Sequence, residues 1–357
     1  MQKSDRTQVL KQKIDARVAA YFASPDPRMG VRLSSNGEQL LDLLAEFTAR
    51  PSKRLRGILA ATAYELFGGN NHSTAVNAAL AMELTQSYLL IIDDVMDRSA
   101  MRRGGLTIHQ EYLQAMQHAF PKREIAHEAD MAAIIVGELA QHLASTVLNG
   151  IDEPAERVLK AERFFHANVS ATAHGQIDDL FGSIGQLQTI PETLAMYVRK
   201  TCHYTFIAPL QTGAILAGAT DTDLAVLKDF GIHAGVAFQL QDDDIGMFGD
   251  ERVSGKSSLD DLREGKMTVL MRHGLAHAPV ADVLVLRAAL GNKRVTHRQH
   301  LIVQEILERA GSRRYTQQEI RRENALALAV LDAQKKWNIS AKQSLHNQLE
   351  SLISRVS

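Results

Sequence analysis

The sequence has 357 residues, of which 45% are hydrophobic, and 40 basic against 41 acidic residues give a formal charge of −1. A chain of this size can bury an extended core, and its balanced charge excludes a general basic field for nucleic acid. The single cysteine, Cys202, excludes a disulfide framework and a cysteine-rich zinc site. We therefore expect a cytoplasmic globular protein that binds no nucleic acid and buries Cys202 as a small apolar side chain.

The stretch before about Phe22 is polar and amphipathic, and it lacks the apolar segment of a signal peptide. The longest uninterrupted apolar runs, such as residues 89–92 and 132–136, are much shorter than the roughly 20 residues that cross a bilayer. The sequence therefore predicts no secretion signal and no transmembrane segment.

Apolar residues recur at helical spacing through almost the whole chain, as in Leu80, Leu84 and Ile92, and no alternating strand pattern of useful length is present. Most prolines lie at junctions between these periodic stretches: Pro25, Pro27, Pro51, Pro121, Pro154, Pro191 and Pro279. This pattern predicts an all-α fold, with residues 1–357 as a single domain of long helices around a central cavity.

Two kinds of interruption are expected in this helical pattern. Pro209 lies inside a helical run, residues 191–218, and should kink the helix near Thr205 because it removes a backbone donor. The least regular stretches are residues 24–37, 101–105 and 249–265. The last two follow clusters of aspartates, where mobile lids over a ligand are expected.

The first cluster is Asp93-Asp94-Val95-Met96-Asp97. On a helix, Asp93 and Asp97 lie one turn apart on the same face, and carboxylates this close repel one another unless a cation neutralises them. Magnesium is typically held by one or two carboxylates together with substrate phosphates. A solvated acidic helix end is the alternative, but the apolar residues 89–92 favour carboxylates that emerge from a buried wall.

Basic residues accompany this cluster. Arg102 and Arg103 follow it, and the planar donors of arginine suit bidentate phosphate binding. Lys53-Arg54-Leu55-Arg56 opens an early helix, where positive charge opposes the helix dipole unless an anion is held there. Solvated surface is the alternative for this second group. Together with the aspartates, the basic residues predict a phosphate ester that bridges metal ions.

A second cluster, Asp242-Asp243-Asp244, ends another apolar helix, and Lys256 and Lys266 follow it. With this arrangement the chain resembles the trans-prenyl diphosphate synthases, the all-helical family of isoprenoid chain elongation. Motifs from nearly the whole chain carry the resemblance: residues 53–56, 93–104, Gly175-Gln176-Ile177-Asp178-Asp179, Lys200-Thr201, 238–243 and 255–266. The resemblance implies the isoprenoid synthase fold and a homodimer through long helices.

The resemblance also implies a reaction. Isopentenyl diphosphate would condense with dimethylallyl, geranyl or farnesyl diphosphate by ionisation, condensation and elimination, and three magnesium ions would assemble with the allylic diphosphate. No enzyme nucleophile is needed, because the alkene of isopentenyl diphosphate attacks the allylic cation and a proton is then lost, plausibly to the departed diphosphate.

Site residues follow from the resemblance, position by position. Asp93, Asp97 and Asp242 would hold magnesium. The allylic diphosphate would contact Arg102, Lys200 and Lys256, with Lys266 as a further substrate-binding cation. Isopentenyl diphosphate would lie on Lys53, Arg56, Gln86 and Arg103. Lys200, Thr201 and Gln239 would be catalytic, with Thr201 and Gln239 near the developing cation and Asp179 in the metal and phosphate network. Purely structural roles remain the alternative for Thr201, Gln239 and Asp179.

The chain departs from the family pattern in three places. Gly246 stands where the second motif usually has its third aspartate, and Asp250 is displaced from that position, which leaves open the roles of Asp243, Asp244 and Asp250. Ser52 replaces a common glycine, and Gly137-Glu138 replaces Gly-Asp. Activity is still expected, because some short-chain members of the family also lack this third aspartate.

Product length depends in this family on the bulk below the first cluster. Tyr88, five residues before Asp93, is the main candidate for closing the product tunnel, with the smaller Leu89 beside it. Helical geometry alone places Leu89 directly below Asp93, so the choice of Tyr88 rests on the resemblance, and a core aromatic is its alternative. The pattern resembles geranylgeranyl diphosphate synthases, and farnesyl diphosphate is the alternative product.

Other classes fit less well. A terpene cyclase would need an Asn/Ser/Glu metal motif in place of Asp242-Asp243. A P-loop hydrolase would need a glycine one residue closer to Lys256 than Gly249, with a strand before it. The alternative from a different class is a non-catalytic subunit of a heteromeric synthase, and the intact Asp93 and Lys200 favour an enzyme over it.

Overall fold

The computed structural model of the chain describes residues 5–183, 189–249 and 259–353. Apart from helices, the described residues contain one antiparallel hairpin, in which Met101 pairs with Leu106 and Arg102 with Gly105. The predicted all-α fold class is therefore confirmed.

The described chain divides into two compact units. The first comprises the described residues up to Glu162 together with Thr212–Gly218, and the second comprises Arg163–Gln211 and the described residues from Ala219 onwards. The prediction of one domain over the whole chain stays a prediction.

The first unit surrounds an apolar central helix. Its elements are α1 (Asp5–Ala23), a 3-10 turn (Asp26–Arg28), α2 (Ser35–Ala49), α3 (Leu55–Leu66), α4 (His72–Met96), β1 (Met101–Arg102), β2 (Gly105–Leu106), α5 (Ile108–Ala119), α6 (Ala126–Asn149) and the first part of α7 (Ala155–Ser183). Nearly every side chain of α4 from Thr74 to Ser87 is buried, which requires neighbours on all sides. Helices α3 and α6 supply most of that cover.

Gly137 allows α6 to lie close to the C-terminal half of α4. A Cβ at this position would lie 3.1 Å from Ile92 Cδ1 and 3.6 Å from Tyr88 Cδ2. An additional methyl group would therefore press on Ile92 and come into ordinary van der Waals contact with Tyr88, so α6 forms part of the wall below Asp93.

The second unit is also helical. Its elements are the second part of α7, α8 (Ile190–Tyr197), a π-helical segment (Val198–Ile207), the start of α9 (Ala208–Leu216), α10 (Asp221–Phe248), α11 (Asp260–Glu264), α12 (Val269–His277), α13 (Val280–Ala289), α14 (His297–Arg309), α15 (Ser312–Ala333) and α16 (Ile339–Ile353). A capping box starts α10: Thr220 Oγ1 accepts from the Asp223 N–H, and the Asp223 carboxylate accepts from the Thr220 N–H. The long helix that follows places the second aspartate cluster in its last turns.

The helical distortion predicted at Pro209 takes the form of a π-helical segment directly before α9. Pro209 has no N–H for the Thr205 carbonyl, and π-helical turns absorb such breaks in the α-helical ladder. Cys202, in this segment, is fully buried as expected. A Cβ on Gly235 of α10 would lie 2.5 Å from its Sγ, so the two elements pack closely.

The stretches predicted to be irregular are partly ordered. Residues 101–105 form most of the hairpin, which the sequence analysis did not predict, and Asp260–Glu264 form a short helix. Strand pairing needs only four residues here, too few for an alternating pattern to be visible. Residues 250–258, which include Asp250 and Lys256, lie outside the described residues.

Two helices are long and apolar enough to cross a membrane by length and composition, α4 and α6. Within the fold, 72% of the apolar window of α4 and 44% of that of α6 are buried. The core helix of a water-soluble protein passes the same test, so the absence of a transmembrane segment stays a prediction.

Candidate active site

The first aspartate cluster occupies the end of α4. The Asp97 N–H donates to the Asp93 carbonyl at 2.8 Å, so the two residues stand one helical turn apart as predicted. Both side chains are partly exposed, whereas Asp94 is buried. The cluster therefore presents Asp93 and Asp97 outward and turns Asp94 into the protein.

Arg102 reaches back from the hairpin to this cluster. Its Nε donates to Asp94 Oδ1 at 2.8 Å, and its Nη2 lies 3.6 Å from Asp93 Oδ2. Burial acts to lower the pKa of Arg102, but the carboxylates of Asp94, Asp93 and Asp97 together raise that pKa above its ordinary value. Arg102 is thus a fixed cation directly beside Asp93.

The hairpin that carries Arg102 and Arg103 is held by Arg50, which the sequence analysis did not single out. Arg50 Nη1 donates to the carbonyls of Arg102 at 3.1 Å and Leu106 at 2.7 Å. Its Nη2 forms ion pairs with Glu46 and Glu111. A Cβ on Gly105 would lie 2.7 Å from the guanidinium carbon, so this close approach requires glycine.

Arg103 is a half-buried cation at the tip of this hairpin. Its backbone is left-handed, with φ of 52°, and within the described part of the chain no hydrogen bond or ion pair to its guanidinium is found. Burial, opposed by Glu83 and assisted by the charges of Arg54, Arg56 and Arg102, lowers the pKa of Arg103 to about 10. The excess of positive charge around Arg103 favours the binding of an anion.

The basic group 53–56 divides into two kinds of side chain. Arg54 is buried and forms ion pairs with Asp15 at 2.7 Å and Glu83 at 3.2 Å, so it is a structural residue. Lys53 is exposed and Arg56 is half-buried, at the start of α3. The Gly57 N–H donates to Glu83 Oε1 at 3.0 Å, which ties this helix start to α4.

Gln86 lies on α4, two turns before Asp93, and is buried. Its Oε1 is enclosed without a hydrogen-bond partner among the described residues. Because a buried amide oxygen without a partner is costly, this atom is available to a ligand or a water molecule.

The wall below Asp93 contains the two predicted chain-length residues. Tyr88 and Leu89 are both half-buried, and Tyr88 contacts α6 at Gly137. Burial raises the pKa of Tyr88, and the charge of Glu138 adds to this. One turn beyond Gly137, both polar side-chain atoms of Gln141 are buried with no hydrogen-bond partner in the described part of the chain.

In the second cluster the three aspartates have different environments. Asp242 is half-buried. Asp243 is buried, accepts from the Tyr197 hydroxyl and, at 2.8 Å, from Gln239 Nε2, and burial raises its pKa to about 8. Asp244 is buried and accepts from Arg313 Nε at 3.2 Å. Asp242 is therefore the most accessible of the three carboxylates.

Asp261 is a further carboxylate at this cluster, which the sequence analysis missed. Its Oδ2 lies where a side chain on Gly246 would begin, since a Cβ there would collide with it. Lys266 is nearby, with its Nζ 3.7 Å from Asp261 Oδ1 and 2.7 Å from Glu264 Oε2. The only sequence signal was that Asp261 lies five residues before Lys266.

The predicted catalytic residues lie together in the second unit. Thr201 Oγ1 donates to Gln239 Oε1 at 2.7 Å, and Lys200 Nζ forms an ion pair with Asp179. A Cβ on Gly175 would collide with the backbone nitrogen of Lys200, so α7 packs directly on the π-helical segment. The structure thus shows two contact groups, Lys200 with Asp179 and Thr201 with Gln239 and Asp243, and Lys200 and Thr201 are neighbours in the chain.

The donors present suit magnesium better than a metal held by protein ligands alone. Within residues 5–183, 189–249 and 259–353, no group of three or more His, Cys, Asp or Glu side chains is placed to hold a metal. Asp93 and Asp97 instead form a partly exposed pair of hard oxygen donors. Magnesium sites completed by substrate phosphates have this composition.

Comparisons with known proteins agree with this geometry. The family model described as "Polyprenyl synthetase" matches residues 38–308. A geranylgeranyl diphosphate synthase of Sulfolobus acidocaldarius is 32% identical over 262 residues, 72% of this chain and 73% of that protein. A (2E,6E)-farnesyl diphosphate synthase of Mycobacterium tuberculosis is 30% identical over 273 residues, 76% of this chain and 70% of that protein.

The fold has close counterparts among solved structures. The crystal structure of a Corynebacterium glutamicum geranylgeranyl pyrophosphate synthase, complexed with isoprenyl diphosphate and magnesium, covers all of both chains with a TM-score of 0.89. Its sequence is 24% identical, so this likeness concerns the fold. The match over residues 38–308, together with the relatives above, shows that the chain belongs to the polyprenyl synthetase family.

Proposed function

We propose that this chain is a magnesium-dependent prenyltransferase that condenses isopentenyl diphosphate with an allylic diphosphate and releases geranylgeranyl diphosphate. The observation that carries the proposal is the group around Arg103. A half-buried cation adjoins Arg102, which in turn contacts Asp93. An anion site next to a pair of magnesium-type carboxylates is what two diphosphate substrates require.

Asp93, Asp97 and Asp242 are the proposed magnesium ligands, for three ions that assemble with the allylic diphosphate. Bound magnesium would neutralise the charge that develops on the departing diphosphate. Arg102, Lys200, Lys256 and Lys266 would add fixed positive charge to the same group. Fixed cations need no reorganisation during ionisation, which is why they lower its barrier.

Isopentenyl diphosphate would bind through Lys53, Arg56, Gln86 and Arg103. Burial and, to a smaller extent, the like charges of Arg54, Arg56 and Arg102 lower the pKa of Arg103, and a bound diphosphate would compensate its charge. The enclosed Oε1 of Gln86 favours a ligand or ordered water at the same place.

Thr201 and Gln239 would stabilise the allylic cation. The Thr201 hydroxyl donates its proton to Gln239, so the lone pairs of Oγ1 remain available to positive charge. The alkene of isopentenyl diphosphate then forms the new carbon–carbon bond with the cation. A proton leaves the adjacent carbon for the departed diphosphate, which restores a double bond and balances charge.

Asp261 would serve as the third carboxylate of the second motif in place of the residue missing at Gly246. Its Oδ2 occupies the start of the vacant side-chain position, and its charge acts on Asp243. The glycine is therefore matched by an acidic residue from α11, and the motif keeps its negative charge.

Geranylgeranyl diphosphate is favoured as product because the curated relatives that are named geranylgeranyl diphosphate synthases reach 32% identity. Farnesyl diphosphate is the alternative product, since farnesyl synthases are 30% identical. Tyr88 and Leu89 are the residues that would set the length.

A homodimer in the cytoplasm is part of the proposal. On α6, Met131, Ile134 and Ile135 are exposed, and less than half of the apolar window of this helix is buried within the chain. A second copy that covers α6 would remove this apolar surface from water.

The test is elongation by the purified protein. Isopentenyl diphosphate is supplied with dimethylallyl, geranyl or farnesyl diphosphate and magnesium, and product length is measured by mass spectrometry. We expect a C20 product and loss of turnover on chelation of magnesium. Asp93→Asn should lower kcat by at least about a hundredfold, whereas Asp332→Asn, at an exposed position of α15, should not. No elongation with any primer would refute the proposal and favour a silent subunit.

A further inference from the structure

An aliphatic surface outside the proposed site lies on α13 and α14. Val280 is 80% exposed, Leu284 is 64% exposed and Leu301 is 58% exposed, and Val285 and Ile302 are exposed beside them. Branched aliphatic side chains at this exposure leave apolar area in water that would be more stable when buried. Such a concentration marks a surface that becomes covered.

Leu284, Val285 and Ile302 line one groove, and Leu301, next to Ile302 in the sequence, lines a second groove that also contains Glu305 and Glu308. The first groove is also lined by Ala288 from α13 and by Gln299 from α14. The opposite face of the same two helices is firmly packed, since Leu286, Val303 and Ile306 belong to one buried cluster. The exposed side chains are therefore presented by a fixed scaffold.

Exposed basic side chains lie on α13, on α14 and in the connection between these helices. Arg287, Lys293, Arg294 and Arg298 are all exposed, and no ion pair to any of them is found among the residues that the structure describes. From Val280 to Ile302 there are four basic residues and one acidic residue, Asp282, which pairs with Arg309. The segment carries +3 while the whole chain carries −1, so the charge is concentrated here.

We propose that the α13–α14 surface docks on the face of an anionic lipid bilayer. Aliphatic side chains next to unpaired basic residues match the acyl boundary and the charged headgroups of such a membrane. Helix α13 has 10 residues, too short to cross, so the protein would lie on the bilayer. A second copy fits less well, because a two-fold contact would bring +3 against +3.

Acidic residues limit the part of α14 that could contact the bilayer. Glu305 and Glu308, further along α14, are exposed and acidic. They would stay away from anionic headgroups, so the bilayer would contact α13, the connection at residues 290–296 and the first turns of α14. This inference does not depend on the proposed enzymatic function.

The test is co-sedimentation of the full chain with vesicles of phosphatidylcholine, with and without phosphatidylglycerol. We expect binding to the anionic vesicles only, weakened by salt. The double variant Lys293→Glu/Arg294→Glu should weaken it by at least about tenfold, since each basic residue near the surface contributes about 1 kcal/mol. Leu284→Asp/Leu301→Asp should abolish it.

Matched control variants distinguish the loss of this docking surface from a general effect of replacing exposed aliphatic or basic residues. Ile339→Asp replaces an aliphatic residue that is 81% exposed on α16, and Lys335→Glu/Lys336→Glu reverses two exposed charges elsewhere. Both should bind like wild type, and all variants should keep the wild-type circular dichroism. The proposal is overturned if wild type does not sediment, if the controls lose binding equally, or if Leu284→Asp/Leu301→Asp changes only the oligomeric state.

Discussion

Three arginines near the first aspartate cluster have three different roles, and the difference lies in their partners. Arg54 is buried between Asp15 and Glu83, and Arg50 is buried between Glu46, Glu111 and two carbonyls. Arg103 has no such partner among the described residues, and the charges near it are those of Glu83 and of Arg54, Arg56 and Arg102. A cation that destabilises its own fold is expected where a ligand supplies the missing charge.

Arg103→Gln separates binding from stability. We expect the KM for isopentenyl diphosphate to rise at least about tenfold, because one charge-assisted contact contributes about 1.5–3 kcal/mol. Urea unfolding without ligand should give a free energy equal to or above that of wild type, because the substitution removes like-charge repulsion. A clear loss of stability would mean that Arg103 is structural.

Tyr88→Ala tests the tunnel wall. The phenol ring lies against α6 at Gly137, and its removal opens space below Asp93. We expect products at least one isoprene unit longer with farnesyl diphosphate as primer, measured by mass spectrometry. Gly137→Ala is the opposite change: its Cβ, 3.1 Å from Ile92 Cδ1, should narrow the same space and shorten the product. Unchanged length in Tyr88→Ala would move the role to Leu89 or to residues 141–146.

At the level of elements, short irregular segments hold several of the proposed site residues, and long helices hold the others. Helix α4 supplies Asp93, but Arg102 and Arg103 come from a hairpin of four paired residues. The π-helical segment likewise carries Lys200 and Thr201. In each case two parts of the chain approach closely at a glycine. Gly105 lies against Arg50 and Gly175 lies against Lys200, and neither position has room for a side chain.

Arg50→Met should release the hairpin. Two carbonyls and the Glu46 and Glu111 carboxylates would lose their partner, and we expect the free energy of unfolding to fall by about 2 kcal/mol, after discounting for the exposure of Glu46. KM should rise for both substrates, because Arg102 and Arg103 would no longer be held.

The control for Arg50→Met is the same substitution at Arg28, whose ion pair with Glu38 at 2.7 Å is solvent-exposed. Arg28→Met should leave the free energy of unfolding close to that of wild type and both KM values unchanged, because solvent screens an exposed ion pair. If Arg50→Met behaves like Arg28→Met, the hairpin is held by other contacts.

At the scale of the whole molecule, the surface of α6 is the feature that a single chain leaves incomplete. Ile135 is 56% exposed in the middle of this apolar helix. Ile135→Asp should convert the proposed homodimer to monomer, because a buried unpaired charge costs several kcal/mol at an interface. Light scattering after size exclusion measures this, with Ile339→Asp as the control. A wild-type monomer at all concentrations would contradict the dimer.

The sequence by itself determined the helical class, the positions of both aspartate clusters, the disturbance before Pro209 and the family. These features are local: they depend on spacing along one helix or on a motif in continuous sequence. The contact between Thr201 and Gln239 could also be expected, because the family resemblance placed both residues near the developing cation.

Only the tertiary structure decided which charged side chains have partners of opposite charge within the protein. Asp94 turns inward to Arg102 while Asp93 and Asp97 remain partly exposed. Arg54 is structural, whereas Arg103 has no ion pair within the described part of the chain, and Asp261 lies where a side chain at Gly246 would begin. The reason is physical: the state of a charge depends on burial and on partners from distant parts of the chain, as with Arg50 and Leu106, 56 residues apart. The spacing of residues in the sequence does not show these long-range contacts.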